Sequence, residues 1–493
     1  MQIQSQYLTA DTGSEQIYNA LDCCLTHEIF TTLLAQAPAA EPAYSFEKAM
    51  QGPVMEMMLR GFRVDPGARE LGIARTKDEL ARLSYVIDTL GQALWDKTLN
   101  PMSSTQLKEI FYGRLGIQEI KVFDKGELKF PMNRDVIEQI EDYFPARLIA
   151  ASTLEYRDRL KTLNVLETEV DPDWRMRTSY NIGGTKAARF SSSKSPEGTG
   201  TNLQNITEAL RHILIPDPGF KLVGIDAEQS DSRMVGYMCG LLFDDWTYLD
   251  ACESGDLHTF VARMTWPDLK WTGDLKKDRK LAETPFYRHF TYRDCCKRLG
   301  HGTNFLGKAP TLSKMIHIPL MLVTPFQEKY FDAFPALPKW HAWTAAELQR
   351  KKQLVSIHGR RRDFFDRPDA DETLRKALAF LAAAATADNL NLGMYKVWHQ
   401  MPEVQLLAQV HDAIYFQFPL DLDEQEVIPK AQRLLEHHMT APNGRDFFVP
   451  TDAKCGMNWG NAVTEEEAAK ARANGDIHKR ANPNGLTKFK RAA

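Results

Sequence analysis

Two aspartates, Asp226 and Asp412, each stand where an apolar segment of the chain ends. Asp226 closes the segment FKLVGIDA, and Asp412 separates VQLLAQV from AIYFQFP. Mg²⁺ is held by one or two carboxylates while phosphate oxygens complete its shell. If the segments are neighbours in one sheet, the two carboxylates could bracket a pair of metal ions about 3.5 to 4 Å apart, as in-line phosphoryl transfer requires. The alternative is two unrelated surface acids.

A second group of residues recurs every four positions, as Arg293, Lys297, His301 and Phe305. Each step advances a helix by about 6 Å, so the four side chains follow one slowly drifting stripe about 18 Å long. Arg grips phosphates bidentately, and Lys is a point charge that could donate a proton to a departing pyrophosphate. Phe305 offers a flat surface to a base or sugar. The alternative is an ordinary amphipathic helix with a cationic face.

A sheet and several helices must position these residues. FKLVGIDA has the composition of a buried strand, and EQSDSRMVGYMCG continues it with helical spacing. VQLLAQV and AIYFQFP, separated only by His411 and Asp412, predict a tight hairpin. Helical spacing dominates residues 14–36, 44–61, most of 66–165 and the stretch up to about 350, whereas 178–206 is polar and reads as loop and short strand. From Val463 onward we expect a helix that frays into a disordered tail.

The composition is that of a soluble globular chain of two to four domains. It has 493 residues, 43% hydrophobic and 26% charged, and no apolar run approaches the roughly 18 residues of a membrane span. The first residues lack a basic and an apolar segment, so we expect a cytoplasmic protein. Seven cysteines without a C-x-x-C pair predict reduced thiols.

The net charge of −4 does not by itself suggest a polyanionic partner. The average conceals a local excess: residues 276–298 carry eight Lys and Arg against three acids, and Arg360 begins a run of three arginines. Such runs are usually solvated faces. Their proximity to the stripe on the helix suggests an anionic partner instead.

Four segments in this order resemble the palm and fingers motifs of family A DNA polymerases, the bacterial DNA polymerase I class with its phage relatives. They are TKAARFSS followed by NLQNI, then VGIDAEQSDSR, RDCCKRLGHGTNFLG and QVHDA. The resemblance extends over roughly residues 40 to 462. It implies an α+β multidomain protein with the right-hand fold, whose palm is an antiparallel sheet and whose fingers and thumb are helical. The implied domains are an exonuclease-domain remnant (1–40), thumb (41–175), palm (176–240 and 356–462), fingers (241–355) and a C-terminal tail (463–493).

The resemblance also implies roles for individual residues. Asp226, Asp412 and the backbone carbonyl of Ala227 would hold two Mg²⁺ ions, and Lys297 would act in catalysis as well as in binding. The incoming deoxynucleoside triphosphate would contact Arg293, Lys297, His258, His301, Phe305, Gln229 and Asp231. Primer-template DNA would contact Arg189, Gln204, Asn205, Arg360, Gln409 and His411.

This chain departs from the family pattern where the sugar is selected. Asp231 stands where the family usually has Glu, and Phe305 stands where its Tyr partner is common, so we expect an intact but altered barrier against ribonucleotides. His301 replaces a usual Phe or Tyr. Ala413 replaces the acid that often follows the second metal aspartate, which argues that two carboxylates suffice.

The first forty residues resemble only the end of the family's 3′-5′ exonuclease domain, through Tyr18 and Asp22. One Asp cannot assemble a two-metal nuclease site, so we expect no intrinsic exonuclease. The alternative is an amphipathic helix that packs on the thumb. A separate exonuclease, helicase or clamp subunit stays open.

The resemblance implies a DNA polymerase, most simply a phage replication enzyme in the host cytoplasm, with no membrane partner. Two other classes stay open. A single-subunit RNA polymerase shares the paired aspartates and the cationic helix, although Asp231 suits a deoxynucleotide site. A non-catalytic DNA-binding replisome subunit would be expected to lose a metal carboxylate, and both are present.

Overall fold

The computed structural model describes residues 12–36, 41–124, 127–288, 290–476 and 478–490. We based the expectation of a cytoplasmic protein on the first residues of the chain, and residues 1–11 lie outside the described ranges. No helix in the described ranges is long and apolar enough to cross a bilayer. The seven cysteines are free thiols, as expected.

The chain forms eighteen named strands in the described ranges, most of them short. They are β1 (Phe62–Val64), β2 (Val122–Asp124), β3 (Glu127–Lys129), β4 (Arg175–Met176), β5 (Ser179–Asn181), β6 (Ser191–Ser193), β7 (Leu214–Ile215), β8 (Phe220–Ala227), β9 (Pro285–Tyr287), β10 (Phe290–Thr291), β11 (Gln353–Val355), β12 (Arg361–Asp363), β13 (Gln405–Val410), β14 (Ala413–Pro419), β15 (Met439–Thr440), β16 (Asp446–Phe447), β17 (Thr451–Gly456) and β18 (Thr487–Lys488).

Helices make up most of the remaining structure. They are α1 (Thr12–Gln36), α2 (Glu41–Ala49), α3 (Gln51–Arg60), α4 (Pro66–Trp95), α5 (Ser104–Lys108), α6 (Arg134–Glu141), α7 (Arg147–Leu166), α8 (Ser230–Phe243), α9 (Thr247–Glu253), α10 (Leu257–Thr265), α11 (Leu275–Ala282), α12 (Tyr292–Asn304), α13 (Ala309–Ile316), α14 (Leu320–Ala333), α15 (Ala336–Lys351), α16 (Asp371–Gln400), α17 (Glu424–Leu435) and α18 (Glu465–Ala473).

A five-stranded antiparallel sheet, in the order β13-β14-β8-β17-β18, lies at the centre of the fold. Its middle strand β8 is buried because both of its faces are covered. Val223 and Ile225 pack on one side against a core that includes residues of α3 and α16. Leu222 points to the other side and joins a separate core around Trp459. Side chains alternate across a strand, so Gly224 and Asp226 share the face of Leu222.

Two helical regions flank the sheet, each with its own core. Helices α4 to α7 enclose an apolar core that includes Phe111 and Ile137. Helices α8 to α16 enclose the largest core, which includes Trp340 and Tyr330. Local signals fix several helix starts: the Asp65 side chain accepts from the backbone N–H of Ala68 at the start of α4, which also has Pro at its first position.

The end of the chain differs from the sequence-based expectation. Helix α18 forms, with a capping box between Thr464 and Glu467. The expected disordered tail was wrong for the described residues 478–490, because β18 returns to pair with β17 and Leu486 is only 6% exposed. A two-residue strand with one apolar anchor has no periodicity that the sequence could reveal.

Candidate functional site

The sheet brings Asp226 and Asp412 together. Asp226 is the penultimate residue of β8, and its partner across the β8–β14 pair is Ala413. The backbone N–H of Ala227 donates to the Asp412 carbonyl at 3.0 Å, which fixes the hairpin tip beside the end of β8. His411 allows the two-residue turn by adopting φ 55°, in the left-handed region. The predicted strand and hairpin are therefore both confirmed.

Burial and the charges of neighbouring carboxylates raise the pKa of both carboxyl groups. Solvent reaches Asp226 along a cavity, yet the surrounding protein excludes enough water to raise the pKa of this carboxyl to about 6, and the charge of Asp412 adds to the rise. Burial likewise raises the pKa of Asp412, with Asp231 as the second cause. Like charges held this close stabilise one another's protonated forms unless a cation intervenes.

These oxygen donors fit the ion that the sequence suggested. Two neighbouring carboxylates and the carbonyl of Ala227 are hard ligands of the kind Mg²⁺ uses, with phosphate and water oxygens completing its shell. Within the described ranges no group of three or more His, Cys, Asp and Glu side chains is arranged to hold a metal by itself.

A cavity of about 580 Å³ opens in front of the two aspartates and extends to helix α12. One wall, which we call the sheet wall, consists of the ends of β8, β14 and β17 and the segments packed on them. The other, the helix wall, consists of α8, α10 and α12. Of the predicted site residues, the cavity is lined by Asp226, Ala227, Gln229, Asp231, His258, Lys297, His301, His411 and Asp412.

On the helix wall, Lys297 and His301 face the cavity, but Arg293 does not line it. The Arg293 guanidinium instead forms two hydrogen bonds to the Asp256 carboxylate, at 2.9 and 3.0 Å. The pKa of Asp256 is lowered to about 2: burial alone would raise it, but hydrogen bonds from Arg293 and Thr259 outweigh that effect. The triphosphate would meet Lys297 without Arg293 in this arrangement.

The histidines of the helix wall are neutral at pH 7. Burial lowers the pKa of His258 to about 4, and the cations Arg293 and Lys297 oppose the attraction of Asp256. Burial also lowers the pKa of His301. The His301 ring packs edge-on against Phe305 at 4.9 Å between centroids. Helix α12 ends at Asn304, so Phe305, the fourth residue of the predicted stripe, lies one residue beyond the helix.

The predicted sugar-selecting residue Asp231 lies on the first turn of α8, where it is held by two partners. The Arg189 guanidinium donates to both of its carboxylate oxygens at 3.1 and 3.2 Å, and Thr386 donates at 2.9 Å. Arg189 also lies 3.5 Å from the Asp412 carboxylate. Arg189, which we expected to contact DNA, thus links Asp231 to Asp412. Gln229 begins the same helix with φ 53°.

The remaining predicted DNA contacts divide into accessible and enclosed residues. Asn205 is exposed at the end of a short 3-10 helix. Gln204 accepts a hydrogen bond from Ser192 at 2.9 Å, and Gln409 is 3% exposed and donates to the His411 carbonyl. Arg360 is enclosed by Asp388 and Glu47, with the nearest contacts at 2.9 and 2.6 Å, so its charge is already neutralised.

Sequence reasoning missed three charged residues that line the cavity on the sheet wall: Arg211, Asp452 and Lys454. Asp452 and Lys454 lie on β17, opposite Asp226 and Gly224 of β8. The sequence signal for Asp452 and Lys454 was the alternation of polar and apolar residues in TDAKCG, a segment too short to assign a face of the sheet.

Comparisons with known proteins identify relatives of this chain. The sequence profile of DNA polymerase family A matches residues 73–461. DNA polymerase I of Chloroflexus aurantiacus is 28% identical over 475 residues, covering 90% of this chain and 46% of that protein. The thermostable DNA polymerase I of Thermus aquaticus is 25% identical over 400 residues, covering 77% and 44%. The chain thus spans about half the length of the curated relatives it matches.

Among solved structures, the POL domain of Pol1 from M. smegmatis, in complex with DNA primer-template and dNTP, has a similar fold. Its TM-score is 0.71 at 20% sequence identity, and the match covers 86% of this chain and 72% of that one. The central antiparallel sheet with its flanking helices is therefore the right-hand polymerase fold, as predicted. The chain belongs to DNA polymerase family A.

Proposed function

We propose that this chain is a DNA-directed DNA polymerase, which adds deoxynucleotides from dNTPs to a primer 3′-hydroxyl. One observation carries the proposal: two carboxylates remote in sequence meet at one sheet edge, inside a cavity whose opposite wall presents Lys297. In-line phosphoryl transfer needs this combination of metal-binding acids and a cation for the leaving group.

The protein's own residues would divide the work. Asp226, Asp412 and the carbonyl of Ala227 would hold two Mg²⁺ ions, which when bound stabilise the charge that develops on the transferred phosphoryl group. Lys297 would hold the β- and γ-phosphates and donate a proton to the departing pyrophosphate. His258, neutral at pH 7, would donate a hydrogen bond to the same phosphates. Gln204, Asn205 and His411 would orient the primer end and the adjacent base pair.

Arg293 would reach the triphosphate only by exchanging its carboxylate partner. Its link to Asp256 closes the start of α10 onto the start of α12. A triphosphate brings more negative charge than one carboxylate, so binding of the nucleotide would favour the exchange. Arg360 would keep its partners Asp388 and Glu47 and would not contact DNA.

The domains follow from the same proposal. Residues 41–175 would be the thumb, 176–240 and 356–462 the palm, and 241–355 the fingers. Residues 1–40 would correspond to the end of an exonuclease domain, and 463–493 to a C-terminal segment that completes the palm sheet through β18. Replication of a phage genome is the role that the sequence resemblance favours.

Asp231 would exclude ribonucleotides. A 2′-hydroxyl beside its carboxylate would compete with Arg189 and Thr386, which already occupy that group. We expect Asp231→Asn to loosen the Arg189 contact and to lower the preference for deoxynucleotides by about 10-fold. Single-nucleotide insertion with dCTP and CTP measures this ratio; equal efficiencies in the wild-type protein would reject the barrier.

Primer extension tests the main proposal. Wild-type protein, a labelled primer on a template, Mg²⁺ and dNTPs should give template-directed products, and NTPs should give almost none. Asp226→Ala and Asp412→Ala should each abolish extension while leaving DNA binding largely intact. Asp421→Ala is a matched control, because Asp421 is exposed just beyond the opposite end of β14.

The same assay separates the other classes. Extension with NTPs in preference to dNTPs would identify an RNA polymerase, and DNA binding without extension would identify a non-catalytic subunit. The same assay without nucleotides measures trimming of the primer 3′ end. We expect no trimming, because Asp22 offers one carboxylate where a two-metal nuclease needs several.

A further inference from the structure

We propose that Arg211 and Lys454 form a second anion site, which binds the backbone phosphates of the primer strand next to its 3′ end. The inference rests on the proposed function, since it assigns the strand that this site would hold. Neither residue belongs to the motifs that carry the family resemblance.

The sheet wall places these cations in register with the catalytic acids. Across β14, β8 and β17, one row reads Ala413, Asp226, Asp452. Two residues further along β8, on the same face, the next row reads Tyr415, Gly224 and Lys454. Two residues of strand span about 6.6 Å, so Lys454 lies one short step along the wall from the metal acids.

Gly224, in the second row, makes room for the Tyr415 ring on this face of the wall. A Cβ atom there would approach Tyr415 Cε1 to 2.6 Å, so only glycine lets the Tyr415 ring lie over the strand. Trp459 packs on Tyr415 at 4.7 Å between ring centroids, and the Arg211 guanidinium lies 4.9 Å from the Trp459 ring. The contact with the Trp459 ring holds Arg211 in place, while the planar guanidinium of Arg211 stays available to a ligand.

The charges of these two residues are available to a ligand. In the described parts of the chain neither Arg211 nor Lys454 forms an ion pair, and the side chain of each donates a hydrogen bond to a neutral oxygen. Lys454 donates to the Asn461 side chain at 3.1 Å, and Arg211 donates to the Ile206 carbonyl at 3.4 Å. Arg189, Arg293 and Arg360, by contrast, are all matched with carboxylates.

The direction of the reaction identifies the ligand. In in-line transfer the attacking and leaving oxygens lie on opposite sides of the reacting phosphorus. If Lys297 on the helix wall holds the leaving pyrophosphate, then the attacking hydroxyl approaches from the sheet wall. The strand that carries this hydroxyl must then pass Arg211 and Lys454. A phosphodiester backbone is the anion with the required charge and reach.

Equilibrium binding without metal or nucleotide tests the site apart from catalysis. We expect Lys454→Gln and Arg211→Gln each to weaken primer-template binding about 5-fold. Each should also make the slope of log K against log[salt] shallower by about one unit. Lys488→Gln is the matched control: it removes a cation from the next strand that is already paired with Asp452 at 3.0 Å. Lys454→Arg should bind like wild type.

DNA in which chosen phosphates are replaced by uncharged methylphosphonate linkages shows which strand the site binds. Methylphosphonates at the three linkages nearest the primer 3′ end should weaken wild-type binding about 5-fold and Lys454→Gln binding hardly further, because both changes remove the same contact. Additive losses, or coupling to template linkages instead, would overturn the inference. So would unchanged binding in both glutamine variants.

The two proposals fail separately. Wild-type protein that extends primers while Lys454→Gln and Arg211→Gln bind like wild type would overturn this inference alone. Coupling to primer linkages in a wild-type protein that extends nothing would support the site and remove the proposed function. Thermal melts of Arg211→Gln and of Arg211→Lys, which keeps the charge, separate loss of the ligand contact from loss of packing on Trp459.

Discussion

The two walls of the cavity are built in different ways. On the sheet wall, backbone ladders to both neighbouring strands fix Asp226, and a main-chain hydrogen bond fixes Asp412 beside it. On the helix wall, Arg293 is tied to Asp256, whereas Lys297 faces the cavity. The sheet wall is therefore fixed by main-chain hydrogen bonds, whereas under the proposed function Arg293 of the helix wall would exchange Asp256 for the phosphates of the nucleotide.

The largest effect should come from removing the paired acids together. We expect Asp226→Asn and Asp412→Asn each to slow nucleotide addition by about 10³-fold, which corresponds to several kcal/mol of lost transition-state stabilisation. The double variant should be hardly slower than either single variant, because the two carboxylates act as one unit. Single-turnover addition of one dNTP measures this; multiplied losses would mean that the acids work independently.

The next largest effect concerns Lys297, which faces the cavity from the helix wall. We expect Lys297→Gln to lower kcat/KM for dNTP by about 10- to 100-fold, as expected when one hydrogen bond to a charged group is lost. DNA binding should stay unchanged. Arg298→Gln is a control one residue further along, where the side chain lies over the Phe290 ring instead of the cavity. An equal loss in this control would point to a general effect of charge.

The Arg293–Asp256 pair should affect stability more than it affects binding. Both side chains are largely buried, so Asp256→Asn leaves Arg293 without its counterion. We expect the free energy of unfolding in urea to fall by about 2 kcal/mol, less than for a fully enclosed pair. The dNTP concentration for half-maximal rate should fall or stay the same, since Arg293 no longer has to leave a carboxylate. A marked rise would mean that the pair positions α12 for the nucleotide.

The smallest effect is a pH dependence of the sheet wall without metal. The pKa of Asp226 is raised to about 6 in the folded protein, so the folded state holds a proton that the unfolded state has lost between about pH 4 and pH 6. Stability contributed by this group therefore decreases as the pH rises through that window. In Mg²⁺-free buffer, the melting temperature of wild type relative to Asp226→Asn should fall across it. A constant difference would contradict the assigned pKa.

The two walls therefore suit different tasks. A fixed pair of acids suits two metal ions, whose positions tolerate little error. A wall on which Lys297 faces the cavity while Arg293 is paired with Asp256 suits a ligand that arrives and leaves in every cycle. Arg211 and Lys454 extend the fixed wall toward the strand that stays bound between cycles.

The sequence alone determined the elements that carry the site. The apolar segment before Asp226 and the two-residue gap at His411 and Asp412 predicted the strand and the hairpin, because strand composition and turn length are local properties. The ordered motifs predicted the family, which the match over residues 73–461 confirmed. Helix α12 was predicted for the same local reason, apart from its end at Asn304.

Only the tertiary structure decided which charges are free. The partners of Arg189, Arg293 and Arg360 lie 42, 37 and 28 residues away in the chain, and no local pattern pairs them. The same holds for Lys454, which joins the site because β17 pairs with β8, and for Leu486, which returns the chain's end to the sheet. Charge neutralisation and strand pairing depend on distance in space, which the order of residues does not specify.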